Sequence, residues 1–480
     1  MIDHYPLLVP GSPAPGEPMG VDAPWDGSII GTVDTAGAEV VDRALATAHA
    51  LFRDRDAWLP RPERIEILRR AAAIMQERRE HLATEAAREG GKPLADSLVE
   101  VDRAIEGAQG CIDVLRTQAG HGIPMNLNAA SSHRVAFTRH EPIGVVLAFS
   151  AFNHPVNLIV HQVFPGVAAG CPVIVKPAEA TPLSCMRLVG ILHEAGLPEA
   201  WCQALLTTDF NVSGKLVSDP RVGFFSFIGS SRVGWMLRSQ LAPGARCSLE
   251  HGGPAPVVVA TDAELDEVVP LLAKGGFYHS GQVCVSVQRV FAHASVATPL
   301  VERLAKSASA LRVGDPTLPD VDAGPLIRPA EVARVHDWVE EARASGAEVH
   351  CGGEPLSERA YPPTVLLNPG GDCKVSSAEI FGPVVCVYSY EDMDDAIARA
   401  NALPYAFQAA VFTRSIDTAL RATQRLDAAT VMVNDHTAFR VDWMPFAGLR
   451  ESGYGTGGIP YTIRDMQVEK LTVIRSAEIV

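Results

Sequence analysis

The feature that most constrains the fold is a repeated alternation of apolar strands and helices through most of the chain. Continuous apolar segments at 143–149, 171–177 and 224–229 are separated by stretches with helical spacing, and a second series begins at 254–260. Strands that are apolar on both faces are typical of parallel sheets covered by helices on both sides. The sequence therefore predicts an α/β fold, and 480 residues exceed what one core can organise, so at least two domains are expected.

The first third of the chain has a different pattern. Apolar spacing predicts three helices, at 39–58, 62–89 and 94–117. The first twenty residues, rich in Pro and Gly, are interpreted as an extended arm. Residues 121–139 are polar and turn-rich, which indicates an excursion from the main body.

Composition excludes several classes of protein. A formal net charge of -15 argues against a general nucleic-acid binder, because neutralising phosphates requires a surplus of Lys and Arg. Nine cysteines without CxxC pairs predict reduced thiols and a cytoplasmic location. Neither a signal peptide nor an apolar stretch of about 18 residues is present, so no membrane span is expected.

Cys284 is the candidate nucleophile. It follows Gly281-Gln282-Val283, and these small and polar neighbours would let a carbonyl group approach the sulfur closely. A buried structural cysteine is the alternative, and it fits most of the nine.

Two further residues could complete a site for carbonyl chemistry. Asn153 follows a predicted strand, and its amide could stabilise the negative charge on a carbonyl oxygen attacked by a thiolate. Glu250 closes another strand, next to two glycines, and could activate water. A turn asparagine and a solvated glutamate are the alternatives.

The glycine pattern GxGxxG at 453–458 is interpreted as a tight loop. The dinucleotide-binding use of this pattern requires a preceding buried strand and a following helix, whereas here PFAGLRES precedes it and Pro460 follows.

Seven motifs in order resemble those of the NAD(P)-dependent aldehyde dehydrogenase superfamily, over essentially the whole chain. They are FNHP (152–155), VKPAE (175–179), FIGS (227–230), LEHGG (249–253), GQVC (281–284), EIFGPV (379–384) and PFAGLRESGYG (445–455). The resemblance implies two Rossmann-like parallel-sheet domains plus a β-hairpin oligomerisation arm, in a homodimer or homotetramer.

The implied domains divide the chain as follows. They are an NAD-binding domain at 1–120 and 140–251, a catalytic domain at 252–434, an arm at 121–139 and 465–480, and a substrate-funnel segment at 435–464 that returns to the NAD-binding domain.

The resemblance also implies a role for each catalytic residue. Cys284 attacks the aldehyde, Asn153 and the backbone N–H of Cys284 form the oxyanion hole, and Glu250 activates the water that releases the acid. No metal is required. Cofactor contacts are implied for Lys176, Glu179, Gly229, Ser230, Glu379, Phe381 and Phe152.

The segment FRVDWMP resembles a branch that contains lactaldehyde, phosphonoacetaldehyde and non-phosphorylating glyceraldehyde-phosphate dehydrogenases. We expect a small polar or anionic aldehyde, faced by His154, His436 and Arg440. A salt bridge from Arg440 to Asp442 or Asp435 is the alternative.

Several positions depart from the family pattern. His251 replaces the usual Leu beside the base, where it could tune Glu250 or simply pack. Other departures are Phe152, Pro254, Ala447 and Arg450, and none of them removes a catalytic group.

Two rival functions stay open at this point. A CoA-acylating dehydrogenase would transfer the acyl group to CoA, and Glu250 argues against it. A non-enzymatic relative would have lost the nucleophile, the amide or the base, and all three are present.

The cofactor choice gives a first prediction. A carboxylate at Glu179 would bond ribose hydroxyls and repel a 2′-phosphate, so we expect NAD to be preferred over NADP. Steady-state KM values for both cofactors test this, and a clear NADP preference would reject it.

Overall fold

The computed structural model describes residues 2–479, so the outer ends of two predicted ranges, Met1 and Val480, lie outside the described residues. Two sheets organise the structure, one of six strands and one of seven, and both are mainly parallel. The predicted α/β fold is confirmed. Within residues 2–479, no helix is long and apolar enough to cross a membrane.

The N-terminal segment is not an extended arm, and that prediction was wrong. Strands β1 (Asp3–Tyr5), β2 (Gly16–Asp22) and β3 (Ile29–Thr35) form a small sheet in which β3 is central. The backbone of Leu8 also pairs with Ala204, which ties the segment to the main body. Strand β2 pairs with the nearby β3, β1 pairs with the far side of β3, and only the contact of Leu8 joins residues far apart in the chain, so the local composition does not reveal the whole arrangement.

Four helices follow, and one predicted helix is divided. They are α1 (Ala38–Arg53), α2 (Arg61–Glu77), α3 (Arg79–Gly90) and α4 (Leu94–Thr117). The expected helix at 62–89 breaks at Arg78, whose backbone leaves the helical region (φ -101, ψ 15). The break lets α2 and α3 each pack against α4, while the apolar spacing continues across it.

The excursion predicted at 121–139 contains strand β4 (Gly122–Ile123) and the start of β5 (Arg134–Pro142). The two strands are antiparallel. The C-terminal strand Gln467–Arg475 pairs with β5 along its whole length and forms the edge of this three-stranded sheet.

The first parallel sheet brings three site segments to one edge. Asn153 follows the first of its strands, Ser230 follows the fourth, and Glu250 ends the fifth. The elements are β6 (Val145–Phe149), α5 (Asn157–Ala169), β7 (Val173–Lys176), α6 (Pro182–Glu194), β8 (Cys202–Ala204), α7 (Phe210–Ser218), β9 (Val222–Ile228), α8 (Ser231–Arg238) and β10 (Arg246–Glu250).

The second sheet has one antiparallel edge strand, β13, and six parallel strands. Its elements are β11 (Ala255–Val259), α9 (Leu265–Phe277), β12 (Val287–His293), α10 (Ala294–Ser309), α11 (Pro329–Ala344), β13 (Glu348–Cys351), β14 (Thr364–Leu367), α12 (Lys374–Ser377), β15 (Val384–Tyr390), α13 (Met393–Ala400), β17 (Gln408–Phe412), α14 (Ile416–Arg425) and β18 (Thr430–Val433). The short strand β16 (Tyr405–Ala406), which precedes β17 in the chain, belongs to a separate two-stranded sheet.

The chain then returns to the first sheet. Its last elements are β19 (Leu449–Arg450), β20 (Gly453–Tyr454), α15 (Ile459–Asp465) and β21 (Gln467–Arg475). Strand β20 pairs antiparallel with β10 and lies inside the GxGxxG pattern, so no buried parallel strand precedes these glycines. This geometry agrees with a tight loop.

A buried ion pair fixes the segment that carries Asn153. Lys92 and Glu100 are both almost fully buried and pair with each other. The Glu100 carboxylate also accepts from the backbone N–H groups of Val156 (2.8 Å) and Asn157 (2.9 Å), at the N-terminus of α5. Lys92 in turn donates to His154 Nδ1 at 3.0 Å. The loop from β6 to α5 is therefore held on both sides by groups from α4 and the turn before it.

Removing this cation should destabilise the protein strongly. In Lys92→Met, the Glu100 carboxylate stays buried without its counter-ion, which costs about 3–5 kcal/mol. The matched control is Lys274→Met, because Lys274 pairs with Asp96 at 2.7 Å on the surface and such pairs contribute about 0–1 kcal/mol. Urea denaturation of both variants measures the difference, and equal midpoint shifts would contradict the assignment.

Candidate active site

A cavity of about 730 Å³ takes its lining from loops of both sheets. It contains all three predicted catalytic residues, Cys284, Asn153 and Glu250. Because Asn153 and Glu250 come from the first sheet and Cys284 from the loop before β12, the site depends on how the two halves of the chain pack together.

The loop that carries Cys284 has an unusual backbone. His279, Ser280 and Gly281 are consecutively left-handed, with φ of 48°, 53° and 71°. A side chain at Gly281 would collide with the carbonyl oxygen of Gly382, so only glycine fits there. The side chain of Gln282 then fixes the loop, since its Oε1 accepts from the Ile327 N–H at 3.0 Å.

Asn153 reaches this loop directly. Its Nδ2 donates to the carbonyl oxygen of Gln282 at 2.9 Å, and the residue is buried. This hydrogen bond joins the loop after β6 to the loop that carries Cys284. Asn153 also lines the same cavity as Cys284.

Glycines make room for the acidic groups around the sulfur. A side chain at Gly457 would collide with the Glu250 carboxylate, and one at Gly252 would collide with the carboxylate of Glu379. The Cα atom of Cys284 also lies 3.2 Å from where that Gly252 side chain would begin. The close approach of Cys284, Glu250 and Glu379 thus requires these positions to be glycine.

The electrostatic balance at Cys284 favours the thiol form. Burial raises the pKa of Cys284 to about 12, the nearby Arg440 cation lowers this pKa, and the carboxylates Glu379 and Glu250 raise it. At neutral pH the sulfur is therefore protonated in the resting enzyme, and attack on a carbonyl requires a proton acceptor.

Most of the predicted cofactor residues lie in the cavity wall. Its lining includes Gly229, Ser230, Glu379, Phe381 and Phe152. The rings of Phe152 and Phe381 meet edge to face, with centroids 5.8 Å apart. Glu379 accepts from the Gly253 N–H at 3.0 Å, and burial raises the pKa of its carboxyl to about 7.

Two predicted cofactor residues lie outside the cavity wall. Lys176 ends β7, and its Nζ is 4.0 Å from a carboxylate oxygen of Glu179, which is about half exposed. Ala178, between them in sequence, does line the cavity. The pair thus lies next to the cavity.

Of the three predicted substrate residues, two lie in the cavity wall and one does not. His154 and Arg440 line the cavity, whereas His436 is not part of the wall. The His436 side chain instead packs against Gly275 of α9, where an added Cβ would lie 2.9 Å from its own. A substrate contact by His436 therefore stays a prediction from the sequence alone.

Arg440 does not pair with Asp442, the alternative that the sequence left open. Arg103 occupies that carboxylate with two hydrogen bonds of 3.1 and 2.6 Å. Arg440 contacts His161 instead, and its Nη1 lies 3.9 Å from Glu250.

Comparison with known proteins now decides the family. The sequence pattern of the aldehyde dehydrogenase family matches residues 12–472. The chain belongs to the aldehyde dehydrogenase family. It is therefore an oxidoreductase that acts on aldehydes, with the two-sheet fold of a family that uses NAD(P).

Relatives of this aldehyde dehydrogenase cover nearly its whole length. A 3-sulfolactaldehyde dehydrogenase from Priestia aryabhattai is 36% identical over 92% of both chains. Aldehyde dehydrogenase 21 from Physcomitrella patens, in complex with the reaction product succinate, superimposes with a TM-score of 0.95 at 30% identity over 100% of both chains. The glyceraldehyde-3-phosphate dehydrogenase GapN from Methanocaldococcus jannaschii, complexed with NADP, gives a TM-score of 0.91 at 31% identity over 96% of this chain and 100% of its own.

His251, the departure next to Glu250, is packed between aromatic rings in this aldehyde dehydrogenase. Its ring meets Phe227 and Trp235 edge to face, with centroids at 5.9 and 5.7 Å. Its Nδ1 bonds the carbonyl oxygen of Glu451 at 2.8 Å, and burial lowers its pKa. These contacts favour the packing interpretation over a role in tuning Glu250.

Sequence reasoning missed several residues of the site. Arg103, Asn157, Tyr278 and Trp338 all line the cavity of the aldehyde dehydrogenase. Arg103 meets Asp442 from 339 positions away in the chain, so no local pattern links them. An available signal was the set of three polar residues, Asn157, His161 and Gln162, on the otherwise apolar helix α5.

The raised pKa of Cys284 gives a test of its protonation. Because the folded-state pKa lies near 12, the thiolate fraction of the unliganded dehydrogenase should increase about tenfold per pH unit from pH 7 to 10. We expect iodoacetamide labelling of the Cys284 peptide, followed by mass spectrometry, to accelerate without a plateau over that range. Urea-unfolded protein is the control, with a plateau near the ordinary cysteine pKa. A plateau below pH 8 in the folded enzyme would contradict the assignment.

Proposed function

We propose that this dehydrogenase oxidises a small anionic aldehyde to the acid, through a thioester on Cys284, with NAD as cofactor. The observation that carries the proposal is that the Arg440 guanidinium has N–H donors without a hydrogen-bond partner in the described part of the chain. Its Nη2 bonds His161, but its Nη1 is 3.9 Å from Glu250, beyond hydrogen-bond distance, and its Nε has no partner among residues 2–479. A buried cation with unused donors is unfavourable until a ligand supplies acceptors.

An anionic group on the substrate would supply those acceptors. Arg440 is stacked on Phe446, with the guanidinium carbon 3.6 Å from the ring centroid, which limits its freedom. Arg103 also lines the cavity, but its charge is balanced by Asp442, which accepts from its Nε and Nη2. The names of relatives agree with this class, since a sulfolactaldehyde carries a sulfonate, glyceraldehyde 3-phosphate a phosphate and succinate a second carboxylate.

Catalysis begins when the sulfur of Cys284 bonds to the aldehyde carbon. The thiol proton leaves as this bond forms, and we assign Glu250, in the same cavity, as its acceptor. The Nδ2–H of Asn153 and the backbone N–H of Cys284 stabilise the charge on the carbonyl oxygen. The product of this step is a thiohemiacetal on Cys284.

Hydrolysis completes the reaction. A bound NAD would supply the hydride acceptor, and loss of hydride from the thiohemiacetal oxyanion would leave a thioester on Cys284. Glu250, after passing its first proton to solvent, takes a proton from water, and the resulting hydroxide attacks the thioester carbon. The bond to sulfur breaks, the acid leaves and Cys284 regains its proton.

The residues present fit a dinucleotide. Helix α8 begins at Ser231, and its N-cap Ser230 makes no side-chain capping bond, so the amides of the first turn are left for the pyrophosphate. We assign Glu379 and Phe381 to the nicotinamide half, and Lys176 and Glu179 to the adenine-side ribose. The carboxylate at Glu179 supports a preference for NAD.

A CoA-acylating reaction is the second candidate, and Glu250 distinguishes the two. Such an enzyme needs no base for water, whereas here a carboxylate lies in the cavity wall with Cys284.

Replacing this base should slow both half-reactions. In Glu250→Gln we expect the NADH burst and the steady-state turnover each to be about 10²- to 10⁴-fold slower, because neither the thiol proton nor the attacking water has its acceptor. Stopped-flow absorbance and mass spectrometry of acylated Cys284 measure this. If added CoA raises turnover of the unmodified enzyme and acyl-CoA accumulates, the CoA reaction is the correct assignment.

The substrate class has its own test. We expect succinic semialdehyde and phosphonoacetaldehyde to exceed hexanal and benzaldehyde in kcat/KM. Arg440→Met should reduce that anion preference roughly 10- to 100-fold through the loss of charge-assisted hydrogen bonds. Arg440→Lys, which keeps the charge but not the planar fork, should lose less. A large advantage for hexanal or benzaldehyde would exclude an anionic substrate.

A further inference from the structure

Asp442 is the centre of a buried polar network behind the cavity wall. It is buried and receives two hydrogen bonds from Arg103. His161 Nε2 contacts its Oδ1 at 2.7 Å, and Asn157 Nδ2 donates to the same oxygen at 3.3 Å. These cationic and hydrogen-bonding partners hold the pKa of Asp442 far below its ordinary value, so it is a carboxylate at any working pH.

The carboxylate fixes which nitrogen of His161 carries the proton. An ionised carboxylate only accepts hydrogen bonds, so the His161 Nε2 next to it must carry the hydrogen. Burial lowers the pKa of His161, which keeps the ring neutral, and Nδ1 is then left with a lone pair. This Nδ1 accepts from Nη2 of Arg440 at 3.2 Å.

Arg103 prevents a different arrangement. Asp442 lies two residues after Arg440 and would be an obvious partner for its charge, but Arg103 takes both carboxylate oxygens in a forked contact. A direct ion pair with Asp442 would neutralise Arg440. A neutral imidazole orients the guanidinium and leaves its positive charge available in the cavity.

We propose that His161 is a positioning residue that aims Arg440 at the anionic group of the substrate. Asp442 fixes the ring tautomer, and Arg103 keeps Asp442 from capturing Arg440. The inference rests on the proposed function, in which Arg440 binds the substrate anion. The expected consequence is a loss of discrimination between anionic and neutral aldehydes when the acceptor at Nδ1 is removed.

Two variants of similar size test the hydrogen-bond acceptor at Nδ1 of His161. The asparagine in His161→Asn keeps an oxygen near the position of Nδ1. The leucine in His161→Leu has nearly the shape of that asparagine but no acceptor. For His161→Leu we expect kcat/KM for succinic semialdehyde to decrease at least tenfold, mainly through KM, and that for hexanal to change less than threefold. His161→Asn should retain most of the anion preference.

A second variant tests the tautomer without altering the ring. In Asp442→Asn, the negative charge that holds the ring proton on Nε2 is lost, so the tautomer that directs the Nδ1 lone pair at Arg440 is favoured less. This substitution should reduce the anion preference in the unmodified background and have no further effect on it in the His161→Leu background. Thermal unfolding of each variant verifies that it folds.

The outcomes separate this inference from the function on which it depends. If Arg440→Met leaves the anion preference unchanged, the anionic substrate class is wrong. If Arg440→Met abolishes the preference but His161→Leu keeps it, or lowers activity equally for both aldehydes, only the positioning role of His161 is overturned.

Discussion

The geometry of the site depends on the buried pair of Lys92 and Glu100. The Glu100 carboxylate accepts a backbone hydrogen bond at the N-terminus of helix α5, and the Lys92 ammonium donates to the imidazole of His154. Asn153 lies immediately before that histidine and bonds the loop of Cys284. The desolvation of this charge pair is unfavourable. The pair fixes the segment of Asn153, in which the first half of the chain contacts the loop of Cys284.

Helix α5 also carries His161, the residue that contacts Arg440. His161 lies one turn beyond Asn157 on α5, so the anchor at the start of the helix also fixes the ring that contacts Arg440. Burial disfavours ions at this site, and Asp442 is matched by two hydrogen bonds from Arg103, whereas Arg440 has only a neutral imidazole within hydrogen-bond distance and Glu250 at 3.9 Å. The proposed selectivity for an anionic aldehyde depends on this incomplete set of contacts.

The fold class could be predicted from sequence, as could the meeting of Cys284, Asn153 and Glu250 in one cavity, because both depend on local patterns. An apolar strand that ends at Glu250, another that ends shortly before Asn153, and a cysteine after Gly281 are local signals. The strands at Asp3–Tyr5 and Gly16–Asp22 were missed because both pair with Ile29–Thr35, and the Pro- and Gly-rich composition does not reveal that pairing. Arg103 and Asp442 were missed as a pair because their carboxylate–guanidinium contact exists only after folding.

The return of the chain to the first sheet has a consequence for biosynthesis. Strand β20 covers the outer edge of β10, pairing Tyr454 with Leu249 and Gly453 with Glu250. On the ribosome, β10 emerges some two hundred residues before its neighbour, and its unpaired edge is exposed to other nascent chains throughout that interval. The surroundings of Glu250 are therefore completed only when synthesis is almost finished, and truncated chains that lack β20 leave this edge of β10 open to aggregation.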